Sequence, residues 1–362
     1  MTVPANPQRA VGAVSSSADE DTAGAAPDEH TRDSLGIRAL IFARDRGLLV
    51  LFVMLILVFS VWASPFFAKW GNAVLIANAA ALTAVYAAGV AAGVFSGALD
   101  ISIPGVAALA GVTCGKLLTA HNPVWLGIVV ALLIGVLIGV VNGLIALRGF
   151  NPLIVTIGTL SVTSGLAAVV AGGYTIPGLT QLTFMGTRKY AGIPAPVWIV
   201  AVLYIVLTLF VTQSRHGIRF MAVGGNKEAV RRSGIHSDRY RIVGFAISSF
   251  CAALGGLIST ALVTEANPAA DPGIIFTALT AVALAGVALT GGRGSLPRVL
   301  VGALILATIS NALTIKGIQP YWGTIVTGLL LLAALGMERG VETSVSRRLM
   351  SAAQASVHSG KR

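Results

Sequence analysis

Ten apolar stretches of about 16–25 residues follow one another between residues 48 and 337. Each is close to the ~20 residues that carry a helix across a bilayer. They run over 48–67, 73–95, 104–120, 123–147, 152–171, 196–213, 242–262, 274–290, 296–315 and 321–337. The hydrocarbon layer supplies no water to a free N–H or C=O, so such stretches cross it as helices that satisfy their own backbone. The expected fold class is therefore all-α integral membrane, with about ten transmembrane helices in one domain at 48–337. Composition agrees: charged residues make up 11% of the chain, less than half the roughly 25% of a soluble domain. A soluble enzyme and a secreted domain are excluded. Cys114 and Cys251 both lie in apolar stretches, which excludes a disulfide framework and a cysteine-based zinc site.

Outside the membrane domain, residues 1–35 are rich in Ala, Ser, Asp and Glu without an apolar run. That composition cannot bury a core, so a disordered tail is expected. It lacks the basic and then apolar start of a cleavable signal peptide. A second tail is expected at 340–362.

The net charge of +11 reads as a topology signal. With both termini in the cytoplasm, twenty of the 25 lysines and arginines fall on the inner side, in the tails and at or beside the loops 96–103, 148–151, 214–241 and 291–295. Lys69, Lys116, Arg188, Lys189 and Lys316 fall outside. This asymmetry predicts a multi-pass protein with both termini cytoplasmic. No basic run interleaved with aromatics appears, so nucleic acid is not an expected partner.

A shift of 168 residues lays Pro104–Gly105 on Pro272–Gly273, Arg148–Gly149 on Lys316–Gly317, Pro152 on Pro320 and Thr156 on Thr324. In this topology the matched positions lie on opposite sides of the membrane. That is the trace of an inverted-topology internal repeat, the plan of many transporters. Gly127, Ala131, Gly135, Gly139 and Gly143 recur at every fourth position of the fourth stretch. Such a stripe favours close helix packing.

Several chemistries find no support. The five acids between 48 and 337 are Asp100, Glu228, Asp238, Glu265 and Asp271, all in loops or at span ends. A proton-coupled carrier keeps its relay in mid-membrane. The histidines are scattered without metal-ligand spacing, so no metal site is expected. Gly111-Val-Thr-Cys-Gly115-Lys116 has three residues between its glycines and Leu117 after the lysine. A phosphate loop needs four residues there, and Ser or Thr after the lysine. The chain has no ATP site of its own.

The one long polar segment between spans is 214–241. Within it Asn226 is a good N-cap, Glu228 suits a first turn, Arg231 and Arg232 suit a last turn, and Gly234 ends the helix. A helix this short is unstable alone in water and must dock on something. Ala222-Val-Gly-Gly-Asn-Lys-Glu-Ala-Val-Arg-Arg-Ser-Gly-Ile235 resembles the cytoplasmic coupling segment of permease subunits in ribose/xylose-type ABC sugar importers. Ser96-Gly-Ala-Leu-Asp-Ile-Ser-Ile-Pro-Gly105, Asn151-Pro-Leu-Ile-Val-Thr-Ile-Gly-Thr159 and Thr290-Gly-Gly-Arg-Gly-Ser295 resemble three further motifs of that family, in order, over about 45–340. Ala98, Pro104, Ala285, Val287 and Ala288 depart from its pattern.

The resemblance implies a translocation path for a monosaccharide or related polyol in a bacterial cytoplasmic membrane. Its partners would be separate ABC ATPase subunits that bind ATP and Mg, a second permease subunit in a homo- or heterodimer, and an extracytoplasmic sugar-binding protein docking near loop 172–195. No cofactor is expected on this chain. Coupling to the ATPase would fall to Gly225, Asn226, Glu228, Ala229, Arg231, Arg232 and Gly234. The path candidates are the polar span residues Asn78, Asn142, Thr156, Thr159, Ser161 and Asn311, together with Asp100 and Ser102, which equally suit a cap on the third span. Competing readings are a sodium-driven carrier, a membrane enzyme, and a permease of the same mechanism for nucleosides or branched-chain amino acids.

Overall fold

The computed structural model describes residues 29–337, and each apolar stretch of the sequence falls on a helix in it. The order is α1 (Glu29–Trp62), α2 (Trp70–Phe95), α3 (Ile103–Thr119), α4 (Val124–Leu147), α5 (Pro152–Ala171), α6 (Thr183–Gly186), α7 (Ala195–Gln213), α8 (Arg215–Gly225), α9 (Lys227–Arg232), α10 (Ser237–Val263), α11 (Gly273–Leu284) and α12 (Leu296–Ile315). A last helix, α13, covers Pro320–Met337. Among the described residues seven helices are long and apolar enough to cross a bilayer: α2, α4, α5, α7, α10, α12 and α13. The apolar part of α1 (Arg46–Trp62), α3 and α11 are shorter. The chain divides into two units, residues 1–46 and 47–362, and the second is the membrane domain.

Two helices form the centre of this domain. α10 packs on α4, α2 and α3, and α2 packs on α12 and α11. More than half of the apolar window of each is buried, 56% for α2 and 61% for α10, against 17% for α5 and 6% for α13. The last two therefore present most of their surface outward. Glycines set the spacing at the centre. A Cβ on Gly135 would lie 2.7 Å from the Ser249 carbonyl oxygen, and one on Gly143 would lie 2.9 Å from Ile242 Cα. A Cβ on Gly139 would run into the Phe245 carbonyl oxygen and lie 2.7 Å from Ala246 Cα. The four-residue stripe of α4 is thus the seat of α10, at a separation only small residues permit.

Helix ends follow local chemistry. Pro152 opens α5 behind Asn151, whose side chain accepts from Leu153 N at 3.0 Å. Segment 172–194 is partly ordered by short elements: a 3-10 turn (Thr180–Leu182), α6, and a hairpin of β1 (Lys189–Tyr190) with β2 (Ile193–Pro194). Ile176 pairs with Ala266 in an antiparallel bridge, tying this segment to the turn after α10.

Two sequence expectations need correction. The eighth stretch, expected as helix to 290, stops at Leu284. Residues 285–295 turn instead, with Gly286, Gly291 and Gly292 in left-handed backbone that a helix cannot hold. Helix also begins at Glu29, inside the tail expected to be disordered over 1–35. No proline occurs between Pro27 and Pro65 to interrupt it. The remainder of that tail (1–28) and the C-terminal tail at 340–362 lie outside the described residues. The 96–103 loop is sunk into the domain: Ser96, Ala98, Asp100 and Ser102 are buried.

Gly139→Val is expected to destabilise the fold by about 1–3 kcal/mol through overpacking against α10. Gly158→Ala on α5, with no atom within 4 Å of the added Cβ, is the matched control and should leave the melting temperature unchanged. Thermal unfolding of the detergent-purified protein, followed by tryptophan fluorescence, measures both.

Candidate functional site

The polar segment between α7 and α10 folds as two helices joined at a single residue. Ser214 begins the first, its Oγ accepting from Gly217 N at 2.8 Å. Along α8, Gly217, Phe220 and Val223 are buried, whereas Arg215, His216, Ile218 and Arg219 are exposed. Asn226 is extended, with φ −157° and ψ 92°, closing α8 and opening α9. Its Oδ1 accepts from Ala229 N at 2.9 Å, which satisfies a first-turn donor. Gly234 ends the motif in the left-handed region, φ +77°, and its N–H donates to the Arg231 carbonyl at 3.0 Å.

On α9 only Val230 is buried. Glu228 accepts from Arg231 at 3.0 Å and from Arg232 Nε at 3.3 Å. These hydrogen bonds hold its carboxyl below the usual carboxylate range. Lys227 pairs with Asp238 at 2.9 Å across the turn to α10. Exposed ion pairs contribute little to stability, so α9 rests on its Asn226 cap and on Val230. Its charged face is left to solvent.

The junction between α8 and α9 is wedged into the membrane domain. A Cβ on Gly224 would run into the Phe95 carbonyl oxygen and lie 2.7 Å from Gly292 N. Gly97 faces Gly224 Cα at 3.5 Å from where its own Cβ would stand. A Cβ on Gly292, φ +75°, would run into Gly225 N and Cα. Three backbone segments meet here without side chains between them: the end of α2, the turn 285–295 and the end of α8. Such contact transmits displacement with no soft side chain in between.

The chain that follows the end of α2 enters a buried polar network. Asp100 Oδ1 accepts from Ser102 N at 2.9 Å and from Ser102 Oγ at 2.5 Å, and its Oδ2 accepts from Ser249 Oγ at 3.2 Å. Asn142 Nδ2 donates to Ser102 Oγ at 3.3 Å, and Thr159 Oγ1 donates to Asn142 Oδ1 at 2.5 Å. Asp100, Ser102, Asn142 and Ser249 are fully enclosed, and Thr159 is half-buried on α5. One connected chain of hydrogen bonds thus joins the start of α3, α4, α5 and α10.

A family model described as the permease component of branched-chain amino acid transport systems matches residues 72–335, most of the chain and all of this geometry. The chain belongs to that permease family. The permease is 33% identical over 296 residues to the L-arabinose transport system permease protein AraH of Escherichia coli, covering 81% of this chain and 90% of the relative. It is 30% identical over 297 residues to the ribose import permease protein RbsC of Haemophilus influenzae, covering 80% and 91%. To the D-allose transport system permease protein AlsC of Escherichia coli it is 29% identical over 302 residues, covering 83% and 93%. No solved structure matches the permease.

Of the path residues named from sequence, the structure gathers four, Asp100, Ser102, Asn142 and Thr159, into the network. Thr156 and Ser161 instead donate to carbonyls of their own helix, Pro152 and Ile157 respectively. Asn311 donates to Asn72 Oδ1 at 2.9 Å, and Asn78 is half-buried on the same helix as Asn72. Sequence reasoning missed Ser249, Asn72 and the whole of α8. The signal for α8 was present as Ser214 followed by Phe220 and Val223 at helical spacing. Two departures from the family pattern are resolved as packing: Ala285 and Val287 are buried in the core.

Asn226→Ala should loosen α9 by about 1 kcal/mol, while Asn226→Asp keeps the cap. Hydrogen exchange over 227–233 is expected to accelerate in the alanine variant alone. Asp100→Ala leaves the donors of Ser102 and Ser249 without their acceptor and should cost about 1–3 kcal/mol, read as a lower melting temperature with Asp100→Asn intermediate.

Proposed function

We propose that this permease is the membrane-spanning subunit of an ABC importer in a bacterial cytoplasmic membrane, forming the translocation path for a monosaccharide or related polyol. Separate ATPase subunits drive it, and an extracytoplasmic binding protein feeds it. The observation that carries the reading is the α8–α9 segment: a capped, charged helix, exposed on one side and wedged glycine to backbone against α2 and the turn 285–295 on the other. It has the form of a lever with a free handle. The substrate class rests on relatives named for arabinose, ribose and allose, three monosaccharides, each matched over about four-fifths of the chain.

In this mechanism α9 seats in a groove of the ATPase through Asn226, Glu228, Ala229, Arg231 and Arg232, with Gly225 and Gly234 as its two hinges. Closure of the ATPase on ATP pushes the segment as a rigid body. The push enters at Gly224–Gly225 and reaches the ends of α2 and α11.

Ten crossings in an inverted repeat fit this scheme. The 168-residue shift lays α2 on α10, α4 on α12 and α5 on α13 with ends agreeing to within a few residues, and Pro152 on Pro320 at the start of the last pair. The neighbours also exchange, since α10 packs on α3 and α4 while α2 packs on α11 and α12. The outward faces of α5 and α13 are where a second permease subunit, the same or a different chain, encloses the path. Thr159, half-buried at the edge of the network, and Ser161, exposed on α5, are then the hydroxyls nearest it.

Reversing charge in Arg231→Glu together with Arg232→Glu should weaken ATPase association by about tenfold or more, equivalent to about 1.4 kcal/mol. Sugar uptake should fall in proportion while membrane insertion is unchanged. Normal association and uptake in that variant would remove α9 from the interface. Reconstituted alone in liposomes, the permease should accumulate no sugar against a gradient; accumulation driven by sodium would replace this reading with the carrier.

A further inference from the structure

Between α8 and the start of α10 lies a cavity of about 510 Å³ whose lining, apart from Gly234, the coupling reading does not use. His216 and Arg219 enter it from α8, and His236, Arg239 and Tyr240 from the other wall, with the turn Ser233–Ile235 as its floor. No acid lines it. The two carboxylates of the 214–241 segment are already engaged, Asp238 by Lys227 at 2.9 Å and Glu228 by Arg231 and Arg232. Arg219 and Arg239 are exposed and have no ionic partner among the described residues. Tyr240 OH stands 3.3 Å from His216 Nδ1, holding the two walls together.

The position of this basic pocket decides what fits it. α8 starts two residues after α7 ends at Gln213, and α10 carries no charged residue from Ile242 to its end. The cavity therefore lies at the ends of two membrane helices, whereas α9 sits further along the segment. Val243, 40% exposed, forms its rim on α10, and Ile218, 62% exposed, lies beside Arg219 on α8. Unpaired guanidinium groups next to exposed apolar side chains at a membrane surface match the two halves of a phospholipid. The phosphate takes the arginines, and the acyl chain runs along the apolar rim.

We infer that the pocket between α8 and α10 binds the phosphodiester headgroup of an anionic phospholipid. The lipid braces α8, the inner half of the coupling segment, against the start of α10. An acidic surface of a protein partner would find the same charges, but it would have no use for Val243 on a membrane helix.

Native mass spectrometry of the full-length permease, purified without an ATPase, tests this directly. Titrated with phosphatidylglycerol, it should retain one lipid more tightly than it retains phosphatidylcholine. Arg219→Gln with Arg239→Gln should weaken that retention by roughly 30-fold, the loss of two arginine attractions to one headgroup. Arg231→Gln with Arg232→Gln, on α9, should leave it unchanged. Equal retention of phosphatidylglycerol by the Arg219/Arg239 variant and the unaltered protein would overturn the site. Retention kept in that variant, together with lost binding when the ATPase is added in a separate pull-down, would assign the pocket to the protein interface instead. Inorganic phosphate displacing phosphatidylglycerol at equal concentration would overturn the lipid as its source. Because the lipid measurement contains no ATPase and the Arg219/Arg239 variant leaves α9 unaltered, failure here is separable from failure of the coupling reading.

Discussion

A membrane domain leaves its backbone nowhere to bond except inward, and this constraint shapes the permease wherever a helix stops. Along α2, α4 and α10 the condition is met within each helix. It becomes demanding at Ser96–Ser102, where the chain reverses between α2 and α3 while most of its residues are buried. Asp100 answers it by accepting from both the backbone and the hydroxyl of Ser102. Ser249 of α10 takes the other carboxylate oxygen. The rest of the network follows from that placement, since Asn142 and Thr159 continue the chain of hydrogen bonds to α4 and α5.

The same constraint explains how much of the fold was legible beforehand. Long apolar stretches have one solution in a bilayer, so α4, α5, α7 and α12 match the sequence expectation to within a residue at their ends. Asn226 and Gly234 were legible because capping is local chemistry, and the structure makes the expected Asn226 to Ala229 bond. The eighth stretch was misread because apolarity persists through Ala285, Val287 and Leu289 after Gly286 has turned the backbone. The composition stays that of a span where the conformation does not. α8 was overlooked for the opposite reason: its buried residues are few and its arginines many, so it reads as loop unless the spacing of Phe220 and Val223 is followed.

The candidate site was less legible than the fold, because its connections are tertiary. Asp100 and Ser249 are far apart in sequence, and no spacing rule brings them together. Nor does any local pattern distinguish Asn142, which joins two helices, from Ser161, which donates to its own helix. A hydroxyl or amide in an apolar helix has both options, and neighbouring helices decide between them. The glycine seat at Gly224 and Gly292 is similarly silent. Glycine pairs are common in this chain, and only close approach of three backbones reveals which of them bear on one another.

Polar and glycine contacts at these two places serve different mechanical ends. Backbone packed on backbone at Gly224 has no rotamers to absorb a displacement, so movement of α8 is passed to the ends of α2 and of the turn 285–295. The network beyond it is directional: each hydrogen bond fixes a donor against an acceptor, and sliding α3 along α10 by even part of a turn would break the Ser249 contact. An apolar residue at position 100 would fill the volume but leave the first donors of α3 without an acceptor, at a cost of the order of 1–3 kcal/mol for each buried group. Under the proposed mechanism, a stiff seat and a register-specific network would let a small push at the surface act on whole helices rather than dissipate among side chains. Both features draw on the chain just after α2, the seat through Phe95 and Gly97 and the network through Asp100 and Ser102, so the turn after α2 takes part in each.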